Sequence, residues 1–226
     1  MIQVEICTPS AASAKAAKEG GAQRVELCRD LPCGGLTPTD GDIEYCVRGL
    51  GLRTHVLVRP RPGNFYYNAA EVEEIMATIE CCRRLGAAAV VVGFLDYEGR
   101  VDAGLTRRAV EAAGPMEVTF HRAFDEACQP PLEALRVIAD CGCTRLLTSG
   151  QRATAIEGAE VIASLVGVTP VRILAGSGVT PMNARRLVEL TGVGEVHGSC
   201  KTLLPDGTPQ TDAAQVRALV EQMKAY

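Results

Sequence analysis

Apolar and polar residues alternate along this chain in short runs, and the runs recur. Ile2–Cys7 sets Val4 and Ile6 against Gln3, Glu5 and Cys7, and Arg24–Cys28 sets Val25 and Leu27 against Arg24, Glu26 and Cys28. Period-two alternation marks a β-strand, whose successive side chains point to opposite faces. Six further runs read as strands: Thr54–Arg59, Ala88–Gly93, Met116–His121, Arg145–Ser149, Val171–Gly176 and Glu195–Ser199. Helical spacing appears between them. Glu71–Leu85 places Val72, Ile75, Met76, Ile79 and Cys82 on one face, and Pro131–Ala139 opens on a proline and is expected to bury Leu132, Leu135 and Ile138.

Helix-like stretches stop at Gly20, Gly51, Gly86, Gly114, Gly142, Gly167 and Gly192, at intervals of 25 to 35 residues. Glycine suits the left-handed position just past a helix, so the repeated unit reads helix, stop, strand. Eight such units of strictly alternating strand and helix require parallel neighbours joined by right-handed crossovers. They close into a (β/α)8 TIM barrel more naturally than they form an open doubly wound sheet, which is the alternative. A single domain over residues 1–226 is expected. Pro60 to Asn64 and Leu203 to Gln210 read as loops.

Composition narrows the picture. Hydrophobic residues make up 47% of the chain and aromatics only 4%, so the core is built from small branched side chains, as parallel sheets are. A net charge of −4 provides no basic stripe for a phosphate backbone, which disfavours a nucleic-acid partner. The chain shows no signal-peptide pattern and no apolar run long enough to cross a membrane. Its ten cysteines are scattered, as reduced thiols are. A cytoplasmic protein without a membrane partner is expected.

Parity then carries chemistry. With the apolar set facing the helices, the polar set lines the barrel: Glu5 and Cys7, Glu26 and Cys28, His55 and Arg59, Glu117 and His121, Glu195 and His197. Interior charges must be paired, and Glu5 and Glu26 are expected to find Arg24, Arg59 or Arg61. Layers of satisfied ion pairs would do this without chemistry. Position favours a site, because Glu5, Cys7, Glu26, Cys28, Arg59, Arg61, His121, Arg122, Asp125, Thr148, Ser149 and His197 fall at the carboxyl ends of strands, where barrel enzymes bind substrate.

Arg59-Pro-Arg61 is suited to gripping a carboxylate or phosphate, or is a solvated pair. His121, leaving a strand before Arg122 and Asp125, suits proton transfer, with Asp125 to orient it, unless a backbone group satisfies the ring. Ser149 and the loop Gly176-Ser177-Gly178 before a helix are candidates for holding an anion, although such a loop is often only a turn. Cys7 and Cys28 share parity on neighbouring strands, roughly 5 Å apart across the sheet. One Cu(I) ion fits between two such thiolates, unless stagger separates them by a layer. Cys33 and Cys200 are outside candidates for the same mouth. The acids, arginines and His121 together suit a lyase, isomerase or hydrolase acting on a small anionic metabolite.

Several strings have a family look: Val4-Glu5-Ile6-Cys7, Gly20-Gly21-Ala22-Gln23-Arg24-Val25-Glu26-Leu27-Cys28, Gly34-Gly35-Leu36-Thr37-Pro38, Val58-Arg59-Pro60-Arg61, Thr119-Phe120-His121-Arg122-Ala123-Phe124-Asp125 and Leu147-Thr148-Ser149-Gly150-Gln151. In this order they resemble the CutC family, associated with copper homeostasis. The resemblance runs from Met1 to about Ser199. It implies a (β/α)8 barrel in the cytoplasm, a homo-oligomer, with Cu(I) bound at Cys7 and Cys28. The chain departs from the family pattern at Asn64, where aspartate is usual, and at Ser177, where the middle of three glycines is usual. Cys200 falls where the family varies.

Overall fold

The structure, a computed structural model, describes residues 2–224. Eight strands form in chain order: β1 (Gln3–Thr8), β2 (Arg24–Leu27), β3 (Arg53–Leu57), β4 (Ala89–Val92), β5 (Glu117–Phe120), β6 (Arg145–Thr148), β7 (Arg172–Gly176) and β8 (Glu195–Gly198). Each pairs in parallel with the next, and β8 returns to β1 through the register Val4↔Val196, closing the barrel and excluding an open sheet.

Helices separate the strands: α1 (Ala11–Glu19), α2 (Asp40–Glu44), α3 (Ala69–Leu85), α4 (Ala103–Ala113), α5 (Ala123–Glu126), α6 (Pro131–Asp140), α7 (Ala159–Leu165), α8 (Ala184–Thr191) and α9 (Ala213–Lys224). The longest, α3, starts where Asn68 and Glu71 cap one another reciprocally, which satisfies two backbone donors that the first turn cannot. It buries Val72, Ile75, Ile79 and Cys82, as its spacing predicts.

Three expectations need correction. Gly20 ends α1 in right-handed geometry, and the left-handed turn falls on Gly21 at φ 92°. Gly20 has a different constraint, since a Cβ there would lie 2.5 Å from that of Val216 on α9. Leu132 is 40% exposed; the stripe of α6 that meets the barrel is Ala134, Leu135 and Ile138. The run Leu203 to Gln210 contains the turn and the flanking strand ends of an antiparallel hairpin, β9 (Lys201–Leu203) with β10 (Pro209–Thr211), inserted between β8 and α9. Its short polar strands carry too little apolar alternation to be read as strands.

The core divides as parity requires. Val4, Ile6, Val25, Leu27, Val56, Val90 and their outward-facing counterparts join the helices in one large apolar cluster. Inside the barrel a separate small cluster comprises Cys7, Cys28, Leu57 and Val91. The remaining interior is filled mainly by polar and charged side chains, which is where the candidate chemistry lies.

Candidate functional site

The amino-terminal half of the interior is an ion-pair lattice. Arg145, 1% exposed, reaches Glu195 at 2.6 Å and Glu117 at 3.0 Å, and Arg24 reaches Glu195 at 2.6 Å and Glu5 at 2.7 Å. Arg172 adds to Glu117 at 2.8 Å. Against the cost of burial, Arg172 and Arg145 hold the Glu117 carboxyl down to about 2. Buried guanidiniums answered by carboxylates on adjacent and next-but-one strands tie the barrel together, and removing either partner would strand a charge.

Above this lattice Glu5 is the hub. Its Oε1 accepts from His197 Nδ1 at 2.9 Å, and its Oε2 pairs with Arg24 Nε at 2.7 Å and lies 2.9 Å from His55 Nδ1. Burial opposes the charge, but His55, His197 and Arg24 outweigh it and hold the carboxyl well below the usual range. Burial lowers His55, reinforced by Arg24 and Arg145, so that ring stays neutral. His197 behaves oppositely: despite its burial, Glu26, Cys7 and Glu5 raise it well above the ordinary imidazole value.

His197 leads to the thiols. Cys7, Glu26 and His197 offer a sulfur, a carboxylate oxygen and a ring nitrogen within 4.8 Å of one another. Cys7 Sγ lies 3.8 Å from Cys28 Sγ. The thiol of Cys28 beside it, together with burial, raises Cys7 well above the ordinary thiol value. Burial and the nearby Glu5 raise Glu26, whose Oε2 has no hydrogen-bond partner. Glu26 therefore meets His197 rather than the arginines expected for it.

Cys7, Glu26 and His197 form the floor of a cavity of about 580 Å³ at the carboxyl ends of the strands. Arg59, His121, Arg122, Ser177, Gly178 and Lys201 stand around it. Arg59 spends three hydrogen bonds on the carbonyls of Cys33, Gly35 and Gly63 and stacks over Phe65 at 5.0 Å. Arg61 points elsewhere, paired with Glu71 at 2.6 Å beside Tyr67, so the two arginines form no common clamp. Asn64 accepts from Arg61 and shares that separate cluster.

Asp125 does not orient His121. It accepts from the backbone of Ser149 and Gln151, from the hydroxyls of Thr148 and Ser149, and from Arg122 Nε at 2.9 Å. That knot fixes the loop after β6, and Ser149 is spent within it. Gly176 packs under Leu147 and His197, where a Cβ would lie 2.5 Å from Leu147 Cδ1. Ser177 adopts φ 81°, the left-handed conformation that glycine favours, and its hydroxyl donates to the Ala153 carbonyl at 2.8 Å. Cys33 is exposed and bonded to the Asp30 carbonyl, whereas Cys200 lines the cavity with its thiol pushed up to about 11 by burial.

His197 and His55 are the residues that sequence reasoning undervalued. Parity had put both inside, yet nothing in a single strand shows that both converge on Glu5. That convergence depends on the closure of β8 against β1.

His121 presents a hydrogen-bond donor. Ala123 N–H donates to its Nδ1 at 3.1 Å, so the neutral ring carries its proton on Nε2. Burial, with Arg59 second, pushes it down to about 3. A pH signature follows. Below the unfolded value near 6.5 the unfolded chain binds a proton at this position that the folded chain refuses, so stability falls as pH drops toward 3. Wild-type stability is expected to decline more steeply than that of His121→Gln over this window, by up to about 1.4 kcal/mol per pH unit. Urea midpoints of both proteins across the window check it; parallel curves would show that the ring is protonated in the fold.

Fold and site together define a (β/α)8 barrel with a cavity at the carboxyl ends of its strands and a buried pair of thiols, Cys7 and Cys28, at the base of that end. The CutC family profile matches residues 2–202, and the chain belongs to that family. It is 42% identical to a family protein CutC of Xanthomonas campestris pv. campestris (strain B100), covering 98% of each chain. The crystal structure of a candidate copper homeostasis protein CutC from Streptococcus agalactiae superposes with a TM-score of 0.83 at 30% identity, covering 88% of this chain and 99% of that one. Phosphoribosyl anthranilate isomerase from Thermotoga maritima, at 14% identity and a TM-score of 0.67 over the whole of both chains, shares the fold alone.

Proposed function

We propose that this protein binds Cu(I) at Cys7 and Cys28 and serves copper homeostasis in the cytoplasm. The observation that carries the reading is the 3.8 Å contact between two buried sulfurs, of which Cys7 lies on the cavity floor. Soft thiolates select Cu(I), and metal–sulfur bonds near 2.3 Å would set sulfurs about 4.6 Å apart in a straight arrangement. At 3.8 Å the two thiols suit a bent arrangement with room for a third donor. His197 supplies it: Glu5 engages Nδ1, which leaves Nε2 for the ion, and a carboxylate behind a ligating imidazole is the usual means of orienting one. Glu26, a hard oxygen donor, is poorly suited to Cu(I) and serves instead to favour charge on His197. No helix among the described residues is long and apolar enough to cross a membrane, which agrees with a cytoplasmic carrier.

The test is a titration of fully reduced protein with Cu(I) against a competing chelator, with X-ray absorption at the copper edge. One ion is expected, with two sulfur neighbours and one lighter donor. Binding must displace protons from the Cys7 thiol and from His197, so affinity should rise with pH across the neutral range. Binding no tighter than that of unfolded protein, or affinity flat with pH, would end the proposal.

A further inference from the structure

Three buried polar atoms on side chains around the carboxyl-end cavity have no hydrogen-bond partner in the protein: Glu26 Oε2, Arg59 Nε and His121 Nε2. All three residues are only 6% exposed. Buried polar groups in folded proteins are mostly paired; of the nine buried side-chain atoms without a hydrogen bond among the described residues, three belong to residues around this one cavity, which suits a shared partner. The cavity, at about 580 Å³, is within the range of metabolite sites.

The donors specify the partner. Arg59 Nε–H and His121 Nε2–H can only donate, the latter because Ala123 N–H occupies Nδ1. Phe65 holds the two together, with Arg59 stacked over it at 5.0 Å and His121 packed against it at 4.8 Å. Adjacent donors of this kind ask for acceptor oxygens. The charges ask for an anion: Arg59, Arg122, His197 and Lys201 line the cavity, and Glu26 is the one acid among the described lining residues. Leu31, Leu57, Leu147 and Val179 supply apolar wall for a carbon skeleton.

We propose that this cavity is a binding site for a small organic anion, its carboxylate or phosphate oxygens on Arg59 and His121 and a hydroxyl or amine of its body on Glu26. Arg59 and His121 offer no soft donor and are distinct from the proposed copper ligands, whereas Glu26 and His197 border both sites. An anion seated there covers the thiol floor, so the same cavity would hold metabolite above and thiols below.

The experiment is calorimetric titration of reduced, metal-chelated protein with inorganic phosphate, malate and 2-phosphoglycolate, with glycerol as the uncharged control. Chelation separates the outcome from any result with copper. At least one organic anion is expected to bind with a dissociation constant of about 1 mM or tighter, and inorganic phosphate more weakly, for want of a carbon body. His121→Phe keeps the ring packing on Phe65 and removes the donor; it should weaken binding tenfold or more. Lys201→Ala, on the exposed hairpin and independent of core folding, should weaken it severalfold. Phosphate binding as tightly as 2-phosphoglycolate would reduce the site to an adventitious ion site and overturn the proposal. So would anions that bind no better than glycerol, or equal affinity in wild type and both variants.

Discussion

The double substitution Cys7→Ser, Cys28→Ser is expected to weaken Cu(I) binding by roughly a hundredfold or more, a loss of about 2.8 kcal/mol or greater, while the barrel remains folded. A hydroxyl is a hard, weakly acidic donor and cannot replace a thiolate on a soft ion. Cys7 and Cys28 belong to the small interior cluster with Leu57 and Val91, so serine at both positions leaves volume nearly unchanged but buries two hydroxyls. A modest fall in the urea midpoint is therefore expected alongside the loss of copper. Chelator competition reads the affinity and far-ultraviolet circular dichroism the fold. Retention of wild-type affinity would move the ion away from this pair, and the exposed Cys33 and Cys128 would be the next thiols to test.

Glu5→Gln is expected to cost about 3–5 kcal/mol of folding stability, the largest single effect at the site. The substitution is nearly isosteric, so packing is not the cause. Glu5 is fully buried and answers Arg24, His55 and His197 at once. An amide leaves Arg24 sharing only Glu195 with Arg145 and leaves the charge on His197 supported chiefly by Glu26. The pH dependence has a definite sign. Because Glu5 is held well below the usual carboxylate range, its contribution is present above the unfolded value near 4.3 and is lost as pH falls through the folded value. Wild type and Glu5→Gln should thus differ most near neutrality and converge in acid. Adding Arg24→Met to Glu5→Gln should restore part of the loss, since it removes the stranded charge. A cost below about 1 kcal/mol for Glu5→Gln would mean that the hub is not ionised.

Much of this molecule was legible residue by residue. Alternation in Ile2–Cys7 or Arg24–Cys28 fixes which side chains face in, because a strand has only two faces and the apolar set must meet the helices. Eight such runs between helices specify parallel strands with right-handed crossovers and favour a closed barrel over an open sheet, a choice settled by the pairing of β8 with β1. Glu5, Glu26, Cys7, Cys28 and His121 were accordingly placed inside with no knowledge of any contact. Arg61, Asp125 and Ser149 show the limit. They lie beyond the last strand residue, Arg61 and Ser149 in loops and Asp125 in α5, where parity no longer applies, and the chain turns Arg61 to Glu71 and Asp125 into a knot of backbone donors.

The pattern of the sequence by itself determined the fold class, the inward-facing set and the end of the barrel at which chemistry gathers, since these follow from short-range periodicity. Which of the inward groups touch was decided only by closure of the barrel. In register Cys7 stands opposite Glu26, one pleat short of Cys28, yet the two sulfurs meet diagonally at 3.8 Å. Glu5 likewise meets His197 because β8 closes on β1, residues 192 positions apart along the chain. Stagger and closure are properties of the whole ring of strands, and no local run of residues encodes them.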